Sequence, residues 1–295
     1  MKEKMSGAER VVMTIVYVLL FVLVFLCLFP FWHMIVVSVS NGSAVMQGRV
    51  TMWPIGVSIE SYKHLLSDPF VGYAYRNTLL YVVLGTTINL FLTTLCAYPL
   101  SRPDLFGKKV FMKLIVFTML FSGGMIPTYI TVAINLGLKN SFWAVLLLNG
   151  MSTMNMIVMR TFFVTTIPNS LVEAAQIDGA NDLGIFFRIV LPLAKPIMAT
   201  MLLFYAVAQW NRFFDYMLYL NDKKDYPLQL LIRAMVIEGN MGDAGQKQNA
   251  ASDLFVSEQG VKYASILITI APIMMLYPFI QKYLVKGQMV GSLKG

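Results

Sequence analysis

The sequence predicts an all-α protein that crosses a membrane several times, and two observations carry this prediction. The 295-residue chain is 57% hydrophobic and only 13% charged, with a mean hydropathy of +0.67, which is far too apolar for an ordinary soluble domain. It also contains apolar segments that each reach the roughly 20 residues needed to cross about 30 Å of hydrocarbon. We predict one transmembrane domain over residues 1–295 with six spans, at about 11–39, 75–100, 110–133, 142–164, 197–220 and 262–285.

Composition also argues against several other classes of protein. The formal net charge is +8, but the basic residues are scattered at the ends of apolar runs, so no nucleic acid is expected as a partner. Cys27 and Cys96 both lie inside apolar runs, and His33 and His64 are far apart, so neither a disulfide framework nor a metal site is predicted. The sequence has no catalytic constellation and no glycine-rich loop ending in GKS or GKT to cradle nucleotide phosphates. We expect no enzymatic activity and no bound cofactor on this chain.

Lysine and arginine residues assign the two sides of the membrane. They are frequent in the N-terminus, in the 101–113 link and in the tail after residue 281, whereas the 127–141 link contains only Lys139. By the positive-inside rule both termini are cytoplasmic, and the segment 168–196 between the fourth and fifth spans lies on the same side. The first span is expected to be retained, because it is too long for the apolar region of a signal peptide. The long polar loop at about 221–261 is then external.

Polar or helix-breaking residues interrupt the third and fourth spans. The third contains Ser122-Gly123-Gly124 and Pro127, which predict either a local break or simply the end of the span. The middle of the fourth contains Asn149, Ser152 and Asn155. Polar groups at that depth cost free energy unless they meet a partner helix or a water-filled cavity. Two interpretations stay open: these side chains line a translocation path, or they form hydrogen bonds that join neighbouring helices.

The fifth span contains the most polar cluster within any apolar run, which extends from Gln209 to Tyr216 and includes the candidate residues Trp210, Asn211, Arg212 and Asp215. Ionisable residues inside a span are functional candidates, because burying an unpaired charge is expensive. In one interpretation Arg212 faces the translocation path and binds an acidic or heavily hydroxylated solute, with Trp210 or Phe213 stacking on it. In the other, Arg212 and Asp215 pair with each other, since they lie three residues apart on a helix.

The cytoplasmic segment 168–196 is predicted to form a helix, a tight turn and a second helix outside the bilayer. Ser170 and Glu173 have the spacing of a capping box, in which each side chain satisfies a backbone N–H at the helix entrance. Gly179 follows Asp178 and can adopt the left-handed conformation that ends a helix. The second helix contains Phe186, Phe187 and Ile189, and we expect Pro192 and Pro196 to interrupt it.

The spaced pattern in this segment resembles the EAA loop of the permease subunits of binding-protein-dependent ABC importers, in the maltose-type, carbohydrate-uptake branch. It comprises Glu173, Ala174, Ala175, Asp178, Gly179 and Ala180, followed by Phe187, Ile189, Pro192 and Pro196. In that family the loop is a coupling helix that docks on a cytoplasmic ATPase subunit, and the resemblance implies that Glu173 pairs with a basic residue there. The competing interpretation is that Glu173 is only a capping acid and Gly179 only a helix stop.

The resemblance implies the role of the whole chain. It implies an ATP-driven importer of a sugar or oligosaccharide in a bacterial cytoplasmic (inner) membrane. The implied partners are a cytoplasmic ATPase dimer that holds ATP and Mg, a second permease in a heterodimer, and an extracytoplasmic solute-binding protein that contacts the 221–261 loop. Trp210 and Asn211 also resemble a feature of carbohydrate permeases, although Arg212 and Asp215 depart from it. The alternative function is an ion-coupled secondary transporter that uses Asp215 as its coupling acid.

Overall fold

The computed structural model describes residues 7–237 and 256–292, without the side chains of 276, 279, 280 and 282–292. Within these residues every regular element is helical. The first eight helices are α1 (Gly7–Ser38), α2 (Gly42–Met46), α3 (Glu60–Ser67), α4 (Pro69–Ser101), α5 (Lys108–Leu120), α6 (Met125–Tyr129) with a π-helical continuation (Ile130–Asn135), α7 (Phe142–Leu148) and α8 (Thr153–Thr166).

The remaining helices follow the predicted cytoplasmic segment and the fifth and sixth spans. They are α9 (Asn169–Ile177), α10 (Asp182–Ile185) continued by a π-helix (Phe186–Val190) and α11 (Leu191–Leu193), α12 (Lys195–Asn211), α13 (Phe214–Tyr219), a 3-10 turn (Lys223–Asp225), α14 (Leu228–Ile237) and α15 (Glu258–Ser292). Helix α14 lies inside the predicted polar loop 221–261. It forms because Leu228–Ile237 is apolar, and it buries Leu228, Leu230, Leu231, Ile232 and Met235.

The helices provide between two and five candidate membrane spans by length and composition. In the described part of the chain, α1 and α4 are each long and apolar enough to cross a membrane alone, and three bent helix pairs would make one further span each. Helix α15 covers the predicted sixth span, 262–285. The number six therefore stays a prediction, while the all-helical membrane class is confirmed.

Three of the predicted spans are not continuous helices. Helices α5 and α6 meet at 110° across Phe121–Gly124, where Gly124 has a φ of +81°, a conformation that favours glycine. Helices α7 and α8 meet at 51° across residues 149–152. Helix α12 ends at Asn211 and α13 begins at Phe214. Polar or glycine residues occupy all three breaks, which explains why the chain leaves the helical path there.

One compact unit consists of the described residues of Met1–Pro69 and Ala234–Ala271. Most of α1 is exposed, and its only buried residues are the last three, Val36, Val37 and Ser38. Val36 and Val37 pack against α2, and the segment after α2 is tied back to α1 because the Trp32 indole donates to the Met52 carbonyl at 2.8 Å. Gly260 allows a close approach between α15 and α3, since a Cβ there would lie 2.7 Å from Ser61 Oγ.

The other compact unit consists of the described residues of Phe70–Arg233 and Pro272–Gly295. It has two hydrophobic clusters. The first joins the C-terminal half of α4, α8, the 168–196 segment and α12, and its centre includes Met156, Met159, Ile185 and Met201, all fully buried. The second surrounds Tyr81 on α4, whose ring lies 4.6 Å from the ring of Tyr216 on α13. The first cluster supports the predicted cytoplasmic segment, and the second lies beside the break between α12 and α13.

Candidate functional site

The predicted cytoplasmic segment forms the expected pair of helices, but the capping box is wrong. Helix α9 begins at Asn169, with Pro168 at the N-cap position and no side-chain hydrogen bond capping it. Ser170 therefore lies inside the first turn, and Glu173 cannot complete a capping box, because the N-cap residue Pro168 has no backbone N–H to donate. Since Glu173 does not cap the helix and its side chain is exposed, the capping explanation for this acid fails.

The turn after α9 has the left-handed glycine that the sequence predicts. Gly179 has a φ of +82°, the N–H of Ala180 donates to the Ala175 carbonyl at 2.9 Å, and that of Gly179 donates to the Gln176 carbonyl at 3.0 Å. This pair of bonds is the Schellman motif. The following helix starts with a cap that sequence reasoning missed, because Asn181 Oδ1 accepts from the Gly184 N–H at 2.8 Å. Both ends of the turn are thus fixed by hydrogen bonds.

The inner face of the segment is anchored in the first hydrophobic cluster. Val172, Ile185 and Val190 are at most 1% exposed, and the Phe186 ring lies 5.0 Å from the Tyr98 ring on α4. Ala175 is also in this cluster, so the expectation that it contacts a partner protein is corrected: its small side chain lets α9 pack closely on its own protein. The helix turns by 80° into α12 at Ala194, between the two predicted interruptions.

The outer face of the segment is exposed and largely apolar. Ile177 is 86% exposed, Leu183 65% and Phe187 56%, and the exposed Glu173 and Ala174 lie on the same segment. The predicted coupling residues Asp178, Gly179 and Ala180 are exposed as well. Apolar side chains held outward by a rigid inner face are typical of a protein interaction surface. We call this exposed part of 171–187 the docking face.

A second candidate site lies where two broken spans meet. The break between α7 and α8 contains Asn149, and the break between α12 and α13 contains Arg212. Asn149 Nδ2 donates to Asp215 Oδ2 at 2.8 Å, and Arg212 Nε lies 3.4 Å from the same oxygen. The ion pair foreseen as one alternative therefore forms, and Asn149 joins it. We call these three residues and the two breaks the polar junction.

Two further residues extend the polar junction to α4: Asn89, which sequence reasoning did not select, and Gln209, which begins the predicted polar cluster but was not chosen as a site residue. Asn89 is 2% exposed, and its Nδ2 donates to the Asn149 carbonyl at 2.9 Å. Gln209, also 2% exposed, donates from Nε2 to Asn89 Oδ1 at 3.3 Å. The available signal for Asn89 was a single amide in the middle of an apolar span. Amides at this position satisfy backbone groups that the break in the fourth span releases.

The other predicted path residues lie close by along the chain but bond elsewhere. Ser152 caps α8 by accepting from the N–H of Asn155, and its own N–H donates to the Tyr205 hydroxyl at 3.2 Å. Asn211 Nδ2 donates to the Val207 carbonyl of its own helix at 3.0 Å. Trp210 is only 8% exposed. Ser152 and Asn155 thus act as helix-start residues, and Asn211 stabilises a helix end.

Buried polar atoms without a partner are concentrated around the polar junction. Among the described residues these atoms are Gln209 Oε1, Trp210 Nε1, Arg212 Nη1, Tyr216 Oη and Thr86 Oγ1. Four of the five lie between residues 209 and 216. Buried polar groups are normally hydrogen-bonded, so such a group of exceptions marks a place where a polar ligand or a second arrangement would supply the bonds.

Two basic side chains donate hydrogen bonds to backbone carbonyls at the predicted cytoplasmic end of α4. Arg160 Nε donates to the Leu100 carbonyl at 2.8 Å, and Lys108 Nζ donates to the Arg102 carbonyl at 2.8 Å. Cations at a helix C-terminus donate hydrogen bonds to the last carbonyls, which have no partner within the helix, and interact favourably with the helix dipole.

No candidate metal site is found in the described part of the chain. Within residues 7–237 and 256–292 no three potential metal-ligating residues come together.

A helical membrane chain with broken spans around buried polar groups, and a rigid docking face outside them, has the features of a membrane transport subunit. The chain is 42% identical to the polygalacturonan/rhamnogalacturonan transport system permease protein YtcP of Bacillus subtilis (strain 168), over 95% of this chain and 97% of the relative. It is 39% identical to protein LplC of the same organism, over 90% and 89%. No family model matches the chain.

A solved structure with the same fold also indicates a permease subunit of an ABC importer. A chain in the crystal structure of a bacterial ABC transporter involved in the import of the acidic polysaccharide alginate superposes with a TM-score of 0.90 at 34% identity, over 96% of this chain and 99% of that one. The present chain belongs to the permease subunits of sugar ABC importers. The family resemblance is confirmed, and the alternative of an ion-coupled secondary transporter is set aside.

Proposed function

We propose that this chain carries an oligosaccharide through a bacterial cytoplasmic membrane and takes its driving force from ATP hydrolysed by separate subunits. The observation that carries the coupling part of this proposal is the docking face. Its inner side chains are fixed in the protein core, while Ile177 and Leu183 are held out of it. A force applied to the docking face would therefore reach α8 and α12 through packed side chains rather than through a flexible loop.

The docking face fits a cytoplasmic ATPase dimer as its partner. Glu173 is exposed beside apolar residues, so a basic side chain of the ATPase could pair with it while Ile177 and Leu183 enter an apolar cleft. ATP and Mg would bind on that partner. The positive-inside rule puts both termini of this chain in the cytoplasm with the docking face.

The polar junction is the proposed part of the translocation path. Asn149, Arg212 and Asp215 connect two broken spans, and unpartnered polar atoms surround them. Broken helices at membrane depth are tolerated where they line a cavity or are buried in protein. Sugar hydroxyls would supply the missing hydrogen bonds. The relatives that handle polygalacturonan, rhamnogalacturonan or alginate support an acidic oligosaccharide as the solute.

The proposal includes two further partners, one outside the cytoplasm and one in the membrane. A solute-binding protein would deliver the oligosaccharide to the external side and contact the 221–261 loop, of which residues 238–255 lie outside the described part. A second, different permease subunit would complete the path. ATP binding would shift the assembled subunits from an inward-facing to an outward-facing state.

The proposal is tested by ATP hydrolysis of the assembled complex in nanodiscs with its loaded binding protein. Glu173→Gln keeps the shape of the side chain and removes its charge. We expect stimulation of hydrolysis by the binding protein to fall by about tenfold or more, because the basic residue of the ATPase would lose its partner.

Glu60→Gln is the matched control, since it removes the same charge from a partly exposed side chain on the predicted external side, where the acid pairs with Lys63 of its own helix. This variant should keep full stimulation. Full stimulation of the Glu173→Gln complex would overturn the coupling role of the docking face, and the failure of any ATPase subunit to co-purify with the wild type would overturn the proposed function itself.

A further inference from the structure

A second guanidinium lies beside the polar junction. Arg233 is on α14, and its Cζ lies 4.6 Å from the centre of the Phe213 ring. Phe213 occupies the break between α12 and α13 and directly follows Arg212 in the chain. The inward face of α14 is fixed by Leu230, Leu231 and Ile232, all of them buried, whereas Arg233 is exposed. Because the buried residues fix the position of α14, the backbone that carries Arg233 is held in place.

The charges around this break do not cancel. Arg212 and Asp215 pair with each other, so their charges offset. In the described part of the chain no carboxylate lies within ion-pair distance of Arg233. Its close contact is the face of the Phe213 ring, which attracts a cation without neutralising it. Within residues 7–237 and 256–292, one positive charge next to the polar junction is therefore left without a carboxylate partner.

The Phe213 ring also makes Arg233 suitable for binding a carboxylate. A cation–π contact limits the orientations of a long side chain that would otherwise be mobile, so less conformational entropy is lost when a ligand binds. The planar guanidinium has donors around its edge and can bind a carboxylate through two parallel N–H···O bonds. An exposed arginine that only increases solubility does not need a ring beneath it.

We propose that Arg233, held in place by Phe213, recognises the carboxylate of a uronate residue as an acidic oligosaccharide enters the polar junction. Arg233 is then a specificity-determining residue, and Phe213 is its positioning residue. This inference rests on the proposed transport function and extends it, because it names the charged group of the solute and the side chain that selects it. Arg212 pairs with Asp215, whereas Arg233 contacts the Phe213 ring and has no ion-pair partner among the described residues, so Arg233 is the cation that the carboxylate would bind.

The test uses one sugar in two charge states. Trigalacturonate and its methyl ester have the same ring structure, and only the first is anionic. ATP-dependent uptake of both is measured in proteoliposomes that contain the complete complex and its binding protein. For Arg233→Gln we expect uptake of trigalacturonate to fall by about tenfold, as for the loss of a charge-assisted hydrogen bond, with uptake of the ester within about twofold of wild type.

Further variants separate recognition from structural damage. Arg233→Lys keeps the charge without the planar fork and should recover part of the trigalacturonate uptake. Arg49→Gln makes the same change at another exposed arginine on the predicted external side and should leave both uptake rates unchanged. Equal losses for acid and ester in Arg233→Gln, or no loss for either, would overturn the inference.

The same experiment distinguishes this inference from the proposed function. A wild-type complex that takes up only the ester with ATP would refute uronate recognition while supporting an ATP-driven importer. A complex that takes up neither form with ATP, and no neutral oligosaccharide either, would refute both. Selective loss of the acid in Arg233→Gln supports both.

Discussion

Gly85 on α4 shows how closely the helices approach at the polar junction. A Cβ at this position would lie 2.6 Å from Cδ of Gln209, so the Gln209 side chain would have to shift. Gln209 is 2% exposed and hydrogen-bonded to Asn89, so a shift of its side chain would disturb this buried bond. The absence of a side chain at position 85 therefore allows the amide contact between α12 and α4.

We expect Gly85→Ala to lower the free energy of unfolding by about 1–3 kcal/mol, because the added methyl group overpacks a filled site and displaces Gln209. Thermal unfolding of the purified protein in detergent measures this loss. Gly72→Ala is the matched control on the same helix, since nothing lies within 4 Å of a Cβ there. Alanine is the better helix former, so this control should melt no lower than wild type, and equal melting of both variants would contradict the packing argument.

At single residues, the sequence predicts what depends on local chemistry. The left-handed turn at Gly179 follows from a glycine after a short amphipathic helix, and it is present. The capping box failed because α9 begins two residues earlier than the Ser170–Glu173 spacing implies, with Pro168 rather than Ser170 at the N-cap position. Asn89 and Arg233 could not be selected, since their importance depends on Asn149 and Phe213, which come close only in the folded protein.

At the scale of whole elements, the two broken spans hold each other in place. The Asn149–Asp215 hydrogen bond joins residues that are 66 positions apart and lies between the two breaks. Breaking a helix releases backbone N–H and C=O groups that lipid cannot satisfy. Each break is therefore stable only while the other supplies polar partners, and we expect the two to rearrange together during transport.

A double-mutant cycle measures this dependence. Asn149→Ala and Asp215→Ala should each destabilise the protein, and their effects should be non-additive by about 1 kcal/mol, since either change alone already removes the shared bond. Unfolding in detergent gives the four free energies. Asn149→Ala combined with Thr87→Ala is the control pair, because Thr87 bonds only to the Val83 carbonyl of its own helix and should be additive. Strict additivity for Asn149 and Asp215 would show that the bond is energetically silent.

The positions of the spans along the chain were predictable, but whether each span is one unbroken helix was not. An apolar run of suitable length is visible in the sequence, so each predicted span contains helix in the described part of the chain. Polar residues inside a run indicate that something happens there, but the same residues suit a helix–helix contact or a break. The 51° bend at residues 149–152 depends on Asn89 of α4 and Tyr205 of α12 as partners. Such long-range partners leave no periodic signal.

At the scale of the molecule, the chain exposes apolar surface that a single subunit cannot cover. Most of α1 is exposed, which suits lipid, but the docking face belongs to a segment that the positive-inside rule predicts to be cytoplasmic. Apolar side chains such as Ile177 and Leu183 facing water are costly. Composition alone predicted the membrane class, whereas this exposed face required coordinates, because Val172 and Ile177 look equally apolar in the sequence.

Ile177→Glu should therefore prevent the ATPase subunit from co-purifying while the permease keeps its own melting temperature. Ile177 is 86% exposed, so the charge costs the free permease little, but in the complex it would be buried against an apolar cleft without a partner. Affinity purification after co-expression, followed by thermal unfolding of the permease, measures both quantities. Val57→Glu, at another strongly exposed apolar residue outside the predicted spans, should retain the ATPase. If the Ile177→Glu permease still brings down a full complement of ATPase, the docking face does not contact it, and the coupling surface must lie elsewhere on the chain.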